Sequence, residues 1–293
     1  MSGFFSGCKS LVSIDMSHFQ SRKVTNMNTL FGSCESLRSI DLSNFDTKNV
    51  KSMIAMFIEC KNLISLNLSN FNIKNVESME NMFYHCYSLI SIDFSKCEAQ
   101  NVLDMSHMFH GCESLETINF SNFNTKNVKN MSNMFFSCRS LKILDLSSFN
   151  TENAINFESM FYGCRNLIYV NISNFNTQNV EDMADMFVDC ISLKSINLSS
   201  FITKKVRNME CMFFDCPSLT SINISNFYID NSVKIYGMFY FCRNLTFIDI
   251  SSFHRNKTDG LFENIPKEGK IFVSNDYYDS IKILLPEWEI FIR

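Results

Sequence analysis

Glycine, proline and tryptophan are scarce in this chain, which has 8 Gly, 3 Pro and 1 Trp among its 293 residues. No Gly-rich phosphate loop is present, and no nucleophile elbow or paired Ser and His motif interrupts the pattern described below. Enzymes usually break a regular sequence where the active site lies, and here the regularity persists. We therefore expect neither enzymatic activity nor a cofactor.

Charged residues are also few, and long apolar runs are missing from the sequence. The chain has 19% charged residues and a net charge of -4, which is neither the basic excess that binds phosphate backbones nor an acidic tail. No run approaches the roughly 18 consecutive apolar residues that a membrane helix needs. The first residues, MSGFFSGCKSLV, lack the features of a secretory signal. We expect no nucleic-acid partner, no membrane insertion and no export signal in this chain.

Cysteine, by contrast, is abundant and periodic. Ten of the 12 cysteines recur at intervals of 26 residues: Cys8, Cys34, Cys60, Cys86, Cys112, Cys138, Cys164, Cys190, Cys216 and Cys242. Everything between the first and the last of them fits one 26-residue unit without a gap. A single unit of this size cannot bury its apolar side without neighbours, so the copies must stack into a solenoid. We call the residues that share one repeat position a column.

The unit that begins at Cys60 indicates how the first half of each repeat folds. Leu66 and Leu68 lie two residues apart and therefore point to one face of a strand, while Ser65 and Asn67 point to the other. Strands at the same position of successive repeats pair side by side. The sequence thus predicts one long parallel sheet with a polar outer face.

In the second half of the unit, apolar residues recur at separations of three and four, a spacing that predicts a short helix: Val76, Met79, Met82, Phe83 and Cys86. The methionines on this stripe are expected to fill the core. An asparagine column precedes the stripe and is predicted to cap the helices: Asn49, Asn75, Asn101, Asn127, Asn153 and Asn179. Lys205 occupies the same position and cannot accept the capping hydrogen bond.

The candidate ligand face is the exposed strand column that is Asp or Asn in every copy: Asp15, Asp41, Asn67, Asp93, Asn119, Asp145, Asn171, Asn197, Asn223 and Asp249. One interpretation is a ladder in which amides and carboxylates hydrogen-bond to each other along the sheet. The alternative is a face that contacts a ligand or cation. It is strongest at Asp15 and Asp41, where two carboxylates would stand about 5 Å apart.

The cysteine column and one histidine pair could suggest disulfides or a metal. Stacked cysteine side chains point the same way, which leaves their Cβ atoms about 5 Å apart instead of the usual 3.8 Å or so, and we therefore expect buried free thiols. His107, His110 and Cys112 fall close together, but no fourth ligand accompanies them. We predict no metal site there.

The two ends of the chain differ from the repeats. Met1 shares a repeat position with Met27, so the chain begins in the middle of a unit. We therefore expect self-association through this uncapped N-terminal repeat. The repeat pattern stops after Phe253. We therefore predict a solenoid over residues 1–253 and a C-terminal cap over 254–293.

Within the predicted cap, residues 270–274 indicate a strand. Asn275 is positioned to cap a helix that runs to about Leu284, and Pro286 ends it before a last strand at 288–292.

The string L-x-x-I-D-L-S-N-F-D-T-x-N-V-x-x-M-x-x-M-F-x-x-C between Leu37 and Cys60 resembles the BspA-like leucine-rich-repeat family, and in particular its mycoplasma-type lipoprotein repeat. The similarity covers residues 1 to about 253. With the periodicity, it implies an α/β, leucine-rich-repeat-like solenoid, a horseshoe or superhelix of strand-plus-short-helix repeats. Members of that family are mostly surface-displayed proteins associated with attachment to host or neighbouring cells, so the resemblance implies a cell-surface or secreted location.

These observations favour a non-enzymatic scaffold, adhesin-like and at a surface, whose sheet face contacts a protein or glycan. Two other hypotheses stay open. One is an intracellular, cytoplasmic adaptor that docks a helix or peptide, and the other is a structural display stalk. An upstream signal or anchor would favour the first hypothesis over the adaptor.

Overall fold

The computed structural model describes residues 1–68, 70–255 and 260–293. The chain forms a parallel β-solenoid of 26-residue repeats, as predicted. Its strands are β1 Ser65–Leu66, β2 Ser91–Asp93, β3 Thr117–Asn119, β4 Ile143–Asp145, β5 Tyr169–Asn171, β6 Ser221–Asn223, β7 Ile229–Asp230, β8 Phe247–Ile250, β9 Phe253–His254, β10 Lys270–Val273 and β11 Glu289–Ile292. The helices are a 3-10 helix, Asn275–Tyr277, and α1, Tyr278–Leu284.

Strand pairing is parallel throughout and follows the repeat period. Leu66 of β1 lies opposite Ile92 of β2, which in turn lies opposite Ile118 of β3. On another side of each coil, a second parallel ladder of isolated bridges runs from Asn26 through successive repeats to Lys234. The strands form separate sheets, β1–β2–β3, β4–β5, β7–β9 and β6–β8–β10–β11, whereas the ladder of bridges runs through successive repeats without a break.

The second half of each repeat is a run of turns, so the prediction of a short helix there is wrong. In the repeat that starts at Cys60, Asn81 and His85 take the left-handed conformation, with φ of 56° and 57°. The N–H of Met79 donates to Asp104 of the next repeat at 3.0 Å instead of to a residue four positions earlier. Left-handed residues four apart interrupt an α-helix. The three-and-four spacing arises because these turns also bury one side.

The asparagine column predicted to cap helices instead joins repeats. Each Nδ2 donates to the backbone oxygen 27 residues earlier, at 2.6–2.9 Å: Asn49, Asn75, Asn101, Asn127, Asn153 and Asn179. Lys205 breaks the column and donates from Nζ to Oδ1 of Asn179 at 2.7 Å. With no helix to cap, the amide satisfies a carbonyl of the preceding coil.

The core consists of buried columns that extend along the solenoid. The phenylalanines before the cysteines stack with ring centroids 5.3–5.9 Å apart: Phe5, Phe31, Phe57, Phe83, Phe109, Phe135, Phe161, Phe187, Phe213 and Phe239. The methionine stripe, including Met53, Met79 and Met105, is fully buried, as predicted. Each buried side chain of this size stabilises the fold by about 1.5–3 kcal/mol, and it does so against both neighbouring repeats.

The segment after the repeats continues the same sheet. β10 pairs with β8 and β11 pairs with β10, both parallel. The predicted order of strand, helix and strand is confirmed, but Asn275 does not cap. Ser274 precedes the 3-10 helix, and no side-chain capping bond forms. Residues 256–259 of the predicted cap lie outside the described residues. The domain boundary at 253 stays a prediction.

Within the described part of the chain, no helix has both the length and the apolar character needed to cross a membrane.

Candidate functional site

The outer side of the sheet presents three exposed columns, which we call the sheet face. In the repeat of β2 they contain Ile90, Ser91 and Asp93, while Ile92 points into the core. The alternation of Ser91, Ile92 and Asp93 follows from the pleat of a strand, whose successive side chains point to opposite sides. Ile90 precedes the strand and is exposed beside Ser91. Stacking at a fixed register then lines up equivalent residues along the solenoid.

The Asp/Asn column turns the chain at the end of each strand. Oδ1 of Asp93 accepts a hydrogen bond from the N–H of Ser95 at 2.8 Å. The same bond to the residue two positions on forms at Asp15, Asp41, Asn119, Asp145, Asn171, Asn197, Asn223 and Asp249. Such Asx turns are a local use of these side chains. One oxygen of each is therefore engaged within its own repeat.

Hydrogen bonding along this column is found between Asn171 and Asp145, where Nδ2 donates to Oδ1 at 3.0 Å. This bond is of the type predicted for a ladder of stacked amides and carboxylates.

Asp15 and Asp41, the predicted focus for a cation, are both exposed. The backbone N–H of Ser17 lowers the pKa of Asp15, and that of Ser43 lowers the pKa of Asp41, although the charge of Asp15 works in the opposite direction at Asp41. Among the described residues, no group of three or more His, Cys, Asp or Glu side chains is arranged to hold a metal ion. Cation binding at this pair stays a prediction.

Asp249 does not belong to the exposed face, contrary to the prediction, because β10 and β11 extend the sheet over it. Asp249 is 0% exposed. Its Oδ2 accepts a 2.6 Å hydrogen bond from Nη1 of Arg293, whose guanidinium lies 4.0 Å from the ring centre of Phe272. Sequence analysis missed this ion pair, since Arg293 lies outside the repeat pattern.

The sequence analysis also did not predict the exposed apolar side chains on the sheet face. Ile143 is 66% exposed and lies directly opposite Tyr169, which is 53% exposed, in the pairing of β4 with β5. Ile168, next to Tyr169, is exposed as well. The signal in the sequence was the departure from the column, which has Ser91 and Ser221 at equivalent positions. We call Ile143, Ile168 and Tyr169 the apolar patch.

A shallow groove of about 540 Å³ lies on the sheet side nearer the N-terminus. Ile64 and Ile90 lie at its centre, with Arg38 and Glu116 at its two ends. Polar side chains complete its lining: Asn62, Ser88, Ser114 and Ser140.

The cysteines are free, as predicted, and the column from Cys34 onward is buried. Cys8 is exposed and Cys211 is half-buried. Burial raises the pKa of the Cys34 thiol to about 11, so thiolate chemistry is disfavoured.

The Nδ1 atoms of His107 and His110 lie 3.5 Å apart. Cys112 is directed elsewhere, because its thiol donates to the backbone oxygen of Phe83 in the core at 3.1 Å. The three residues considered as metal ligands in the sequence therefore do not converge on one point.

The repeat period, parallel stacking and buried columns define a solenoid repeat protein. A family pattern described as "Mycoplasma protein of unknown function, DUF285" matches residues 1–96, 90–168 and 143–253. These matches span most of the chain, which therefore belongs to that family. A comparison with curated proteins finds no match.

Several solved structures are similar to this chain. A leucine-rich repeat protein from Bacteroides ovatus is 16% identical, with 83% of this chain and 88% of that chain covered and a TM-score of 0.35. A leucine rich cell surface protein from Faecalibacterium prausnitzii is 18% identical, with 81% and 78% covered and a TM-score of 0.33. The pneumococcal vaccine antigen PcpA is 13% identical, with 88% and 71% covered and a TM-score of 0.35.

Proposed function

We propose that this protein is a non-enzymatic interaction scaffold, adhesin-like and displayed at a cell surface, whose sheet face binds a protein or glycan ligand. The observation that carries the proposal is the apolar patch. Exposed apolar residues that cluster within a polar surface mark interaction sites. Ile143 and Tyr169 form such a cluster in a column that, apart from Phe247, holds Ser or Thr in the other repeats.

The regular stacking supports a scaffold, because the ladder of bridges from Asn26 to Lys234 joins each repeat along it to its neighbours. Ligand contacts on such a surface are preorganised, which reduces the ordering cost of binding. A flat, rigid tyrosine such as Tyr169 suits both protein and sugar partners.

The test uses two substitutions, each of which introduces the residue found at the equivalent position of other repeats. Ile143→Ser and Tyr169→Ser introduce the residue found at Ser91 and Ser221, so the fold should tolerate them. The control is Ile155→Lys at a residue 39% exposed, next to Asn156 of the second ladder, and it introduces the residue found at the equivalent Lys129. Binding to a glycan array and to immobilised extracellular-matrix proteins is measured for each variant.

We expect the double variant to lose at least tenfold in affinity for any ligand bound by the unaltered protein, while the control keeps it. Full retention of binding by the double variant would show that the apolar patch is not part of the binding interface. Surface labelling of intact cells that make the full-length protein tests the location, and strict protection from label would favour the cytoplasmic adaptor.

A second candidate, the structural display stalk, is favoured by the Asx turns. These turns engage the Asp/Asn column within its own repeats, as in the bond from Ser95 to Asp93. A column used in this way supports the fold without contacting a ligand. If no variant of the sheet face alters binding, the stalk becomes the better account.

A further inference from the structure

We propose that the groove between Arg38 and Glu116 binds an amphipathic helix of a partner protein, one that carries an acidic and a basic side chain at opposite ends of a stripe of two aliphatic residues. This inference rests on the proposed function of the sheet face and specifies one class of ligand for it. It concerns a region that is separate in sequence from the apolar patch.

The groove has a charge at each end and an apolar middle. Arg38, Ile64, Ile90 and Glu116 occupy one column in four consecutive repeats, joined by backbone bonds such as Ile90 N–H to Ile64 O at 3.0 Å. All four side chains are exposed. Two neighbouring isoleucines offer apolar area to a partner, and the charged ends favour one arrangement of its charges.

Both end charges are available to a partner. Within the part of the chain that the structure describes, neither Arg38 nor Glu116 takes part in an ion pair. Lys142 follows Glu116 in the next repeat of the column without pairing with it. An acidic group over Arg38 and a basic group over Glu116 would form an ion pair with each of them. Such charge pairs mainly determine the specificity and the association rate of binding.

The spacing of the column selects a helix. Successive repeats lie about 4.8 Å apart, so Arg38 and Glu116, three repeats apart, are separated by about 14 Å. Helix residues at i, i+3, i+7 and i+10 lie on one face, and the outer two are about 15 Å apart at a rise of 1.5 Å per residue. An extended strand presents same-face side chains only every 6.6 Å or so, which does not match the column.

The lining favours a protein over a glycan. None of the eight described residues that line the groove is aromatic. Sugars usually bind on the flat faces of aromatic rings, whereas Ile64 and Ile90 suit aliphatic side chains. Aliphatic residues at i+3 and i+7 of a helix would rest on these two isoleucines.

The experiment is a selection from a phage library of 16-residue helical peptides on an Ala-rich background, with positions i, i+3, i+7 and i+10 randomised. The targets are the full chain, Arg38→Glu and Glu116→Arg. We expect the unaltered protein to enrich peptides with one acidic and one basic outer position and aliphatic inner positions. Because a helix can lie in either direction, the order of the two charges is left free.

The single charge reversals then make opposite predictions. Arg38→Glu places an acidic residue at both ends of the groove and should select basic residues at both outer positions. Glu116→Arg should select acidic residues at both. A peptide enriched on the unaltered protein should bind each variant at least tenfold more weakly. Selections that show no charge preference, or the same preference on all three targets, would overturn the proposal.

Two further variants separate this inference from the proposed function. Ile64→Thr with Ile90→Thr, which introduces the residue found at Thr220, should abolish binding of the enriched peptides, while Ile168→Thr in the same column should not. Circular dichroism confirms that each variant is folded. Peptides that respond only to Ile143→Ser or Tyr169→Ser would refute the groove and leave the sheet face intact as a binding surface. Peptides indifferent to every sheet-face variant would refute the groove, and the glycan-array and matrix-protein assay would then decide the proposed function separately.

Discussion

The thiol of Cys60 donates a hydrogen bond to the backbone oxygen of Phe31, 3.1 Å away and 29 residues earlier in the chain. The same bond recurs along the buried column at 3.0–3.2 Å, at Cys34, Cys86, Cys112, Cys138, Cys164, Cys190, Cys216 and Cys242. Each cysteine therefore joins its repeat to the preceding one by a bond that requires a reduced thiol. A sulfur oxidised to a disulfide has no hydrogen to donate.

Thiol labelling should separate the cysteines by burial. In the native protein at pH 8, we expect Cys8 to react quickly with an aromatic disulfide reagent and Cys211 slowly, because the first is exposed and the second half-buried. The other ten should react only after denaturation, since burial raises their pKa values, to about 12 at Cys164, for example. Cys8→Ser should remove the fast phase. Rapid reaction of more than two thiols would contradict the burial of the column.

A glycine in the turn region provides a second prediction. Gly111 and Gly163 both have positive φ, 73° and 70°, so alanine at either position costs about 1–2 kcal/mol in backbone strain. A Cβ at Gly111 would also lie 2.5 Å from Cδ2 of His85, whereas one at Gly163 would lie 3.0 Å from the rotatable hydroxyl of Ser137. Gly111→Ala should therefore lower the free energy of unfolding by about 1–3 kcal/mol more than Gly163→Ala.

Urea unfolding followed by circular dichroism measures this difference. The control combines Gly111→Ala with His85→Ala, which removes the clashing ring and should bring the cost of the glycine change close to that at Gly163. Equal effects of the two glycine substitutions in the presence of His85 would show that strain alone determines the cost.

The period, the strands and the buried columns could be predicted from the sequence because all three repeat. The turn conformation could not, because stacked turns and a helix bury side chains at the same spacing. Glycine at 111 and 163 was a signal for left-handed residues, but Ala55 and Glu59 take that conformation without being glycine. In these repeats, hydrogen bonds to the next coil offset the preference of non-glycine residues against the left-handed conformation. The sequence of a single repeat does not indicate hydrogen bonds between repeats.

The parts of the candidate site that sequence analysis missed are those that do not repeat. Ile143 and Tyr169 depart from a column that holds small polar residues in most repeats, and a search for regularity gives such departures little weight. Asp249 matched its column perfectly and was placed on the exposed face, yet two strands from outside the repeats cover it. Periodicity identifies the scaffold, while functional surfaces tend to lie where the pattern changes.

Stability should depend on pH through His110. Its ring stacks between Tyr84, at 4.6 Å, and Phe136, at 4.3 Å, and burial, with help from His107 and His85, lowers its pKa to about 4. The unfolded chain, with a histidine pKa near 6.5, binds this proton more readily than the folded one. The contribution of His110 to the free energy of unfolding is therefore fully present above about pH 6.5 and declines as the pH falls towards 4.

His110→Phe should remove much of this decline, because phenylalanine continues the ring stack and does not titrate. Urea midpoints at pH 7.5 and 4.5 are compared for the two proteins, with the exposed His18→Phe as the control. The expected result is a smaller drop in midpoint for His110→Phe alone. An unchanged drop would mean that other groups cause the pH dependence.

The pair of Asp249 and Arg293 should hold the last strands of the sheet. The carboxylate is buried, and besides Arg293 it accepts hydrogen bonds from Ser251. Arg293→Ala leaves this buried charge without its counterion and should cost about 1–3 kcal/mol. Asp249→Asn together with Arg293→Ala removes the unpaired charge and should recover part of that loss, since a neutral amide can still accept the bonds from Ser251.

Because the two residues join β8 to the edge of the sheet, the loss should be local. Hydrogen exchange measures it residue by residue: the amides of β10 and β11 should exchange faster in Arg293→Ala, while those of β2 and β3 keep their protection. Repeats interact mainly with their neighbours, so a defect at one end has little reason to reach strands several repeats away. Uniformly faster exchange along the whole chain would instead mean that the solenoid unfolds as one cooperative unit, with the ion pair contributing to the stability of all of it.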